Sequence, residues 1–219
     1  MDGGWGESGI LWISFDEGGC DVARLVGTER SQAMALPMSY AGQRMTLDEF
    51  FALTGDEFRR SELQEGVLVM SPSPRVAHQW AGFALARQLA DQLPPGWRPI
   101  LDLDVIVEKH EPATVRQPDV LVARFDNTAL RLPASEVVLA VEMISPGSRK
   151  IDLRLKPYEY AEAGIAHYWV VDLDPPAPSI TVFHLGAPGE GYVEAPAVTG
   201  RLLTTEPFAL DIDITALVD

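Results

Sequence analysis

One stretch of eight residues, Val137 to Ile144, limits the possible folds of this 219-residue chain more than any other. Its letters are VVLAVEMI, so every position except Glu142 is apolar. A continuous apolar run without alternation predicts a strand in the middle of a sheet, covered on both faces. A carboxylate near the end of such a strand is costly unless it is paired or bound to a metal ion. The run therefore predicts a sheet-based fold and marks Glu142 as a candidate functional residue.

Helix and strand signals are mixed on both sides of this run, which predicts one α/β domain around a mixed β-sheet flanked by helices. Thr46 and Glu49 form a capping box that starts a short helix. Residues 62–70 are typical of a hairpin that turns at Glu65 and Gly66. The remaining predicted elements are a helix over 75–93, strands over 100–107, 115–122, 137–144, 167–171 and 180–185, a helix that ends near Gly164, and short β segments over 192–210.

The helix over 75–93 has the clearest periodicity in the chain. The residues expected to face the core are Val76, Trp80, Phe83, Ala84 and Leu89. The residues expected to face away from it are Arg87, Gln88, Asp91 and Gln92.

Residues 1–40 differ from the rest because they are rich in glycine. The letters Gly4-x-Gly6-x-x-Gly9 match a dinucleotide-binding fingerprint, but that motif needs a preceding strand, and only three residues precede it. We therefore interpret residues 1–40 as a mobile N-terminal tail and residues 41–219 as the folded domain.

The composition narrows the class of function. Net charge is −15, which disfavours a general DNA-binding protein but is compatible with an enzyme that uses a divalent metal to offset its charge locally. Cys20 is the only cysteine, so neither an intramolecular disulfide nor a thiolate zinc site is possible. No apolar run approaches the length of a membrane span and no signal-peptide pattern is present, so the expected location is the cytoplasm.

Asp119 and Glu142 are the candidate metal ligands. They stand on successive predicted strands, so both carboxylates reach one edge of the sheet if those strands pair. Mg²⁺ prefers hard oxygen ligands and keeps waters that a phosphate can replace. The alternative is structural: Asp119 turns the chain after Pro118, and Glu142 is a carboxylate at a sheet end.

A dense basic cluster follows the second strand. It consists of Arg149, Lys150, Arg154 and Lys156. Asp152, Lys156 and Tyr160 are spaced to share one face of a continuous helix, although Pro157 fits best at the first helical position. The cluster is a candidate site for phosphate contacts, and the alternative is a solvated helix end.

Two further residues are candidates for the site. Glu62, at the mouth of the hairpin, is a possible third carboxylate or else a surface residue. His78, near the start of the long helix, is a candidate for phosphate contact, although solvent exposure is the favoured interpretation.

At these residues the chain resembles a known family. The matching segments are Glu62-Leu63-x-x-Gly66-Val67-Leu68-x-Met70-Ser71-Pro72, Pro118-Asp119-Val120, Val141-Glu142-Met143-Ile144-Ser145-Pro146, Arg149-x-x-Asp152-x-x-x-Lys156-x-x-x-Tyr160-Ala161-x-Ala163-Gly164 and Tyr168-Trp169-Val170-Val171-Asp172. This ordered set resembles the Uma-two family of restriction-endonuclease-like proteins, within the PD-(D/E)-x-K nuclease superfamily, over roughly residues 45–185.

The resemblance implies a restriction-endonuclease-like core and Mg- or Mn-dependent cleavage of nucleic acid, expected to be DNA. It places metal ligands at Asp119 and Glu142 and at the backbone carbonyl of Met143, with Glu62 as an accessory acid. Such nucleases usually carry a lysine two residues after the glutamate. Here that position is Ile144, so Lys156 is the expected replacement.

Two questions stay open at this level. The alternative function is a catalytically silent nuclease fold that serves as a binding or assembly module, which the overall acidity favours. A homodimer is a further possibility, since nucleases that cut both strands often pair.

Overall fold

The computed structural model describes residues 43–71, 73–145, 147–174 and 176–218. They all fall within one unit, Met34–Asp219. The tail predicted for residues 1–40 lies outside the described residues.

Three α-helices and fourteen strands occur in the described part of the chain. The helices are α1 (Leu47–Phe51), α2 (Val76–Ala90) and α3 (Lys156–Glu162), and a π-helical segment, Ile151–Leu155, leads into α3. The strands are β1 (Ser61–Gln64), β2 (Val67–Met70), β3 (Arg98–Leu101), β4 (Val105–Glu108), β5 (Thr114–Arg116), β6 (Val120–Ala123), β7 (Leu132–Pro133), β8 (Val137–Ile144), β9 (His167–Asp172), β10 (Ser179–Leu185), β11 (Tyr192–Glu194), β12 (Val198–Thr199), β13 (Arg201–Thr204) and β14 (Leu210–Asp213). Short 3₁₀ turns cover Asp56–Phe58, Ala134–Glu136 and Thr215–Leu217.

The apolar run forms β8, which lies at the centre of the main sheet as predicted. The strand order is β11-β10-β9-β8-β6-β3, with β12 beside β10. β8 is parallel to β9 and antiparallel to β6, so the sheet is mixed. Leu139, Val141 and Met143 pack on the side of α2, whereas Ala140 and Ile144 pack with Tyr160 on the opposite side.

A second sheet has the order β2-β1-β5-β4-β7 and carries the predicted hairpin. Positive φ angles of 46° at Glu65 and 78° at Gly66 form the tight turn between β1 and β2. Glycine takes this conformation without strain, and the two-residue turn matches the twist of the strands.

Two predicted strands are wrong because each is split between the two sheets. Residues 115–122 form the end of β5 in the smaller sheet and the start of β6 in the main sheet, with Pro118, which cannot donate to a ladder, at the break. Residues 100–107 separate in the same way into β3 and β4 around Asp102, whose φ is 51°. As a result, Asp119 lies where the two sheets meet.

The orientation predicted for α2 is wrong in part. Ala84 and Leu89 are buried, but Val76, Trp80 and Phe83 are exposed, and Ala81 and Leu85 are buried. Small buried residues allow the helix backbone to approach the sheet closely, and this leaves the bulky side chains outside.

The capping box is confirmed, since Thr46 and Glu49 exchange hydrogen bonds at the start of α1. Gly164 follows the C-cap of α3 with a φ of 80°, as predicted from its place in the sequence. Among the described residues, no helix is long and apolar enough to cross a membrane.

Candidate active site

Four elements bring the predicted site residues together where the two sheets meet. Glu62 lies in β1, Asp119 immediately precedes β6, and Glu142 lies near the end of β8. Lys156 is the first residue of α3. β8 and β9 run parallel, and the π segment and α3 connect them. This connection starts at the end of β8 that carries Glu142, so Lys156 lies near that end.

The ammonium group of Lys156 is the centre of this cluster. Its Nζ atom lies 2.7 Å from Oε1 of Glu142, 3.3 Å from Oε1 of Glu62 and 3.6 Å from Oδ1 of Asp152. Burial disfavours the charge, but these carboxylates outweigh it and raise the pKa of Lys156 above its usual range. Lys156 is therefore a buried lysine whose ammonium group is surrounded by three carboxylates.

Glu142 is buried and receives two hydrogen bonds on one oxygen. The Lys156 ammonium group donates at 2.7 Å and the Tyr160 hydroxyl group donates at 2.9 Å, both to Oε1. Burial raises the pKa of Glu142, Lys156 partly opposes this increase, and Asp119 and other carboxylates add to it. Among the described residues, none donates a hydrogen bond to Oε2, so this oxygen is available to a cation.

Asp119 is tied to the residue that follows Glu142. Its Oδ2 accepts a 2.7 Å hydrogen bond from the backbone N–H of Met143. Its Oδ1 lies 2.9 Å from Nε2 of His78. This contact with Asp119 raises the pKa of His78, and burial partly opposes the increase. The interpretation of His78 as a solvent-facing residue is therefore wrong.

Glu62 is held in place by an arginine that the sequence analysis missed. Arg116 donates through Nη1 to Glu62 at 2.9 Å and through Nε and Nη2 to Glu159, both at 2.7 Å. The N–H of Gln117 donates to the second oxygen of Glu62 at 3.0 Å. Burial raises the pKa of Glu62, but Lys156 and Arg116 outweigh it, so the net shift of this pKa is downward.

A signal for Arg116 exists in the sequence. It is a charge at the end of a buried strand, next to Gln117 and the Pro118-Asp119 motif, which is the same kind of signal that identified Glu142. Its partner Glu159, three residues after Lys156, had no signal of its own.

Most of the predicted basic cluster does not face the carboxylates. Arg149 donates to Asp172 at 2.6 Å and lies 3.5 Å from Asp174. Lys150 and Arg154 are exposed. Lys156 is the member of the cluster that enters the site.

The donor set fits a hard divalent cation. Asp119 and Glu142 supply carboxylate oxygens, and in a strand the C=O of Met143 projects to the same side as its N–H, toward Asp119. Among the described residues, no group of three or more His, Cys, Asp or Glu side chains is arranged to hold a metal ion. A cation here would therefore depend on two carboxylates, a backbone carbonyl and water.

One family model matches most of the chain. The model Uma2, described as "Putative restriction endonuclease", matches residues 47–216. The chain belongs to the Uma2 family. This membership supports a nuclease-like function.

A solved structure of similar fold is described as a "putative nuclease belonging to DUF820" from Anabaena variabilis ATCC 29413. Its TM-score with the Uma2 chain is 0.61 at 20% sequence identity, covering 80% of this chain and 97% of that one. At this identity the likeness shows the fold. A search of curated proteins finds no match.

Proposed function

We propose that the protein is a metal-dependent endonuclease that hydrolyses phosphodiester bonds in DNA. The observation that carries this proposal is the position of Lys156, whose Nζ atom lies 2.7 Å from Glu142 and 3.3 Å from Glu62 although the usual position for the lysine holds Ile144. An ammonium group, two strand-end carboxylates and a supporting acid are the parts that metal-assisted phosphodiester hydrolysis needs.

Asp119, Glu142 and the carbonyl oxygen of Met143 would hold the ion, Mg²⁺ or Mn²⁺. When bound, such an ion polarises the phosphate and lowers the pKa of a coordinated water. Tyr160 and Lys156 both donate to Oε1 of Glu142, which leaves Oε2 for the ion.

Lys156 supplies positive charge where negative charge develops on the phosphate. Glu62 and Asp152 hold the ammonium group from the other side, and Arg116 fixes Glu62. Because these partners are buried, Lys156 is pre-oriented before substrate arrives.

The substrate backbone would contact His78 and the exposed side chains of Lys150 and Arg154. Arg149 would contact the substrate only after its ion pair with Asp172 breaks. The pair therefore favours a role for Arg149 in holding the segment before α3. A homodimer stays a prediction, which light scattering tests. A cytoplasmic location also stays a prediction.

The first experiment separates metal binding from cleavage. Calorimetry measures Mg²⁺ and Mn²⁺ affinity for the protein and for Asp119→Ala and Glu142→Ala, and plasmid, linear duplex, single-stranded DNA and RNA are assayed for cleavage. We expect both substitutions to abolish metal uptake and cutting. Unchanged metal uptake in both variants would refute the proposal.

The second candidate is a catalytically silent binding module. The observation that favours it is that Lys156 is already engaged by three carboxylates and Arg149 by two. Normal metal binding without cleavage of any of the four substrates would support this alternative.

A further inference from the structure

Three buried side-chain nitrogen atoms among the described residues lack a hydrogen-bond acceptor. They are Nε of Arg60, Nε2 of His78 and Nε1 of Trp169. Nε2 of His78 still has a partner, since it lies 2.9 Å from Oδ1 of Asp119, so of these three atoms Nε of Arg60 is the one near the site that has none. Buried donors are nearly always satisfied in folded proteins, so each such atom needs an explanation. Trp169 belongs to the apolar core, whereas the atoms of Arg60 and His78 belong to one neighbourhood beside Asp119.

Arg60 stands two residues before Glu62 at the margin of the candidate site. Its Nη2 lies 3.6 Å from Oδ1 of Asp102, which is too long for a hydrogen bond, and its side chain is 28% exposed. The charge of Arg60 acts on His78, so the two cationic side chains are neighbours.

The guanidinium group of Arg60 has the donor pattern that binds an oxyanion. The Nε and Nη2 groups of a guanidinium form a planar fork that matches two oxygens of a phosphate. Asp102 approaches this fork without closing on it, and His78, on α2, is a second cationic group nearby.

We propose that Arg60, with His78 as a second donor, binds a phosphate group of the nucleic-acid backbone at the candidate active site. The assignment rests on the proposed function, because a nucleic-acid substrate brings the phosphate to this position. The Nε atom is covered in the present arrangement, so Arg60 turns about its side-chain bonds to reach the ligand. The loose 3.6 Å contact with Asp102 permits this movement.

The test is a titration with inorganic phosphate, followed by NMR of the arginine Nε–H groups in EDTA and again in Mg²⁺. Arg60→Lys, which keeps the charge, assigns the Arg60 signal by its disappearance. We expect that signal to shift saturably under at least one of the two conditions. A signal that does not move under either condition overturns the proposal.

The matched control is the neighbouring arginine. Arg59 is paired with Asp56 and its side chain is 79% exposed, so Arg59→Gln makes the same change in charge outside the site. We expect Arg60→Gln to weaken phosphate binding about tenfold or more, and Arg59→Gln less than about twofold. Equal weakening in the two variants would reduce the effect to general electrostatics and overturn the assignment. If Arg60→Gln does not fold, Arg60→Lys is compared with Arg59→Lys instead, and the same difference is expected.

This assay contains no DNA and requires no cleavage, so its failure is distinct from failure of the nuclease proposal. Phosphate binding at Arg60 in a protein that cuts nothing would refute the nuclease and keep the anion site. If the protein cleaves DNA but the Arg60 signal does not respond to phosphate, only the anion site is refuted.

Discussion

At the residue scale, the hydroxyl group of Tyr160 is a testable part of the site. It donates a 2.9 Å hydrogen bond to Oε1 of Glu142, and both side chains are buried. Tyr160→Phe removes one of the two donors to this carboxylate, so we expect the free energy of unfolding to fall by about 1–3 kcal/mol. Urea denaturation of the metal-free protein measures the change.

Tyr158→Phe provides the control, because Tyr158 lies on the same helix and is 65% exposed. We expect it to change stability by less than about 0.5 kcal/mol. Equal losses in the two variants would mean that the hydroxyl bond to Glu142 contributes nothing specific.

His78 makes the stability of the metal-free protein depend on pH. Contact with Asp119 raises the pKa of His78 against the effect of burial, so the folded protein holds the imidazole proton more tightly than the unfolded chain does. This stabilisation is fully present below the unfolded pKa of about 6.5 and is lost as pH rises through the folded value. His78→Gln should therefore cost more stability near pH 6 than above pH 8.

Urea denaturation in EDTA at the two pH values measures the difference. The same substitution in an Asp119→Asn background is the control, because the partner that raises the pKa is gone, and its cost should then vary less with pH. A cost that rises with pH in the wild-type background would show that the assumed linkage has the wrong sign.

At the element scale, Gln88 on α2 and Gln92 just beyond its end bond to the backbone of β14 as a neighbouring strand would. Gln92 donates to the carbonyl oxygen of Asp211 at 3.0 Å and accepts from its N–H at 2.8 Å. Gln88 exchanges bonds of 3.1 Å and 2.8 Å with Asp213 in the same way. The prediction that these side chains face away from the fold is therefore wrong.

Replacing both glutamines with alanine should release the C-terminal hairpin from the helix. We expect a loss of about 1–3 kcal/mol in the free energy of unfolding and faster amide hydrogen exchange in β13 and β14, with β8 unchanged. Gln79→Ala, at an exposed position of the same helix, should leave exchange unaltered. Equal acceleration in β8 would indicate general destabilisation.

Local signals in the sequence were sufficient for the elements that depend on neighbouring residues. The capping box of α1, the hairpin turn and the central strand β8 were all predictable, since each follows from residues close together in the chain. The face of α2 was not, because Trp80 and Phe83 satisfy the helical period, while the sheet accepts the smaller Ala81 and Ala84.

Long-range pairing decided the rest. The split of residues 115–122 depends on which sheet each half joins, and no local pattern carries that information. The same limit applies to the site. Glu142 became a candidate from its place in an apolar strand, and Lys156 from the basic cluster and the family resemblance. The link from Arg116 to Glu62 and Glu159 joins three elements that are distant in sequence, so sequence spacing did not indicate it.

At the scale of the whole molecule, negative charge is in excess both overall and at the site. The chain has a net charge of −15. At the site, the carboxylates of Glu62, Glu142 and Asp152 all contact Lys156, and Glu62 shares Arg116 with Glu159. Repulsion among like charges destabilises a compact state, and salt screens it. Sodium chloride should therefore raise the stability of this protein gradually.

Magnesium should do more than screen charge. At equal ionic strength, MgCl₂ should stabilise the wild-type protein more than NaCl, because an ion that binds the folded state alone adds about 2.7 kcal/mol at a hundredfold excess over its dissociation constant. Thermal unfolding in the two salts measures the difference. Asp119→Ala and Glu142→Ala should respond to both salts alike, because they keep the general screening and lose the oxygens that would hold the ion. If the wild type also responds to both salts alike, the acidic cluster binds no specific cation, and the nuclease proposal loses the metal it requires.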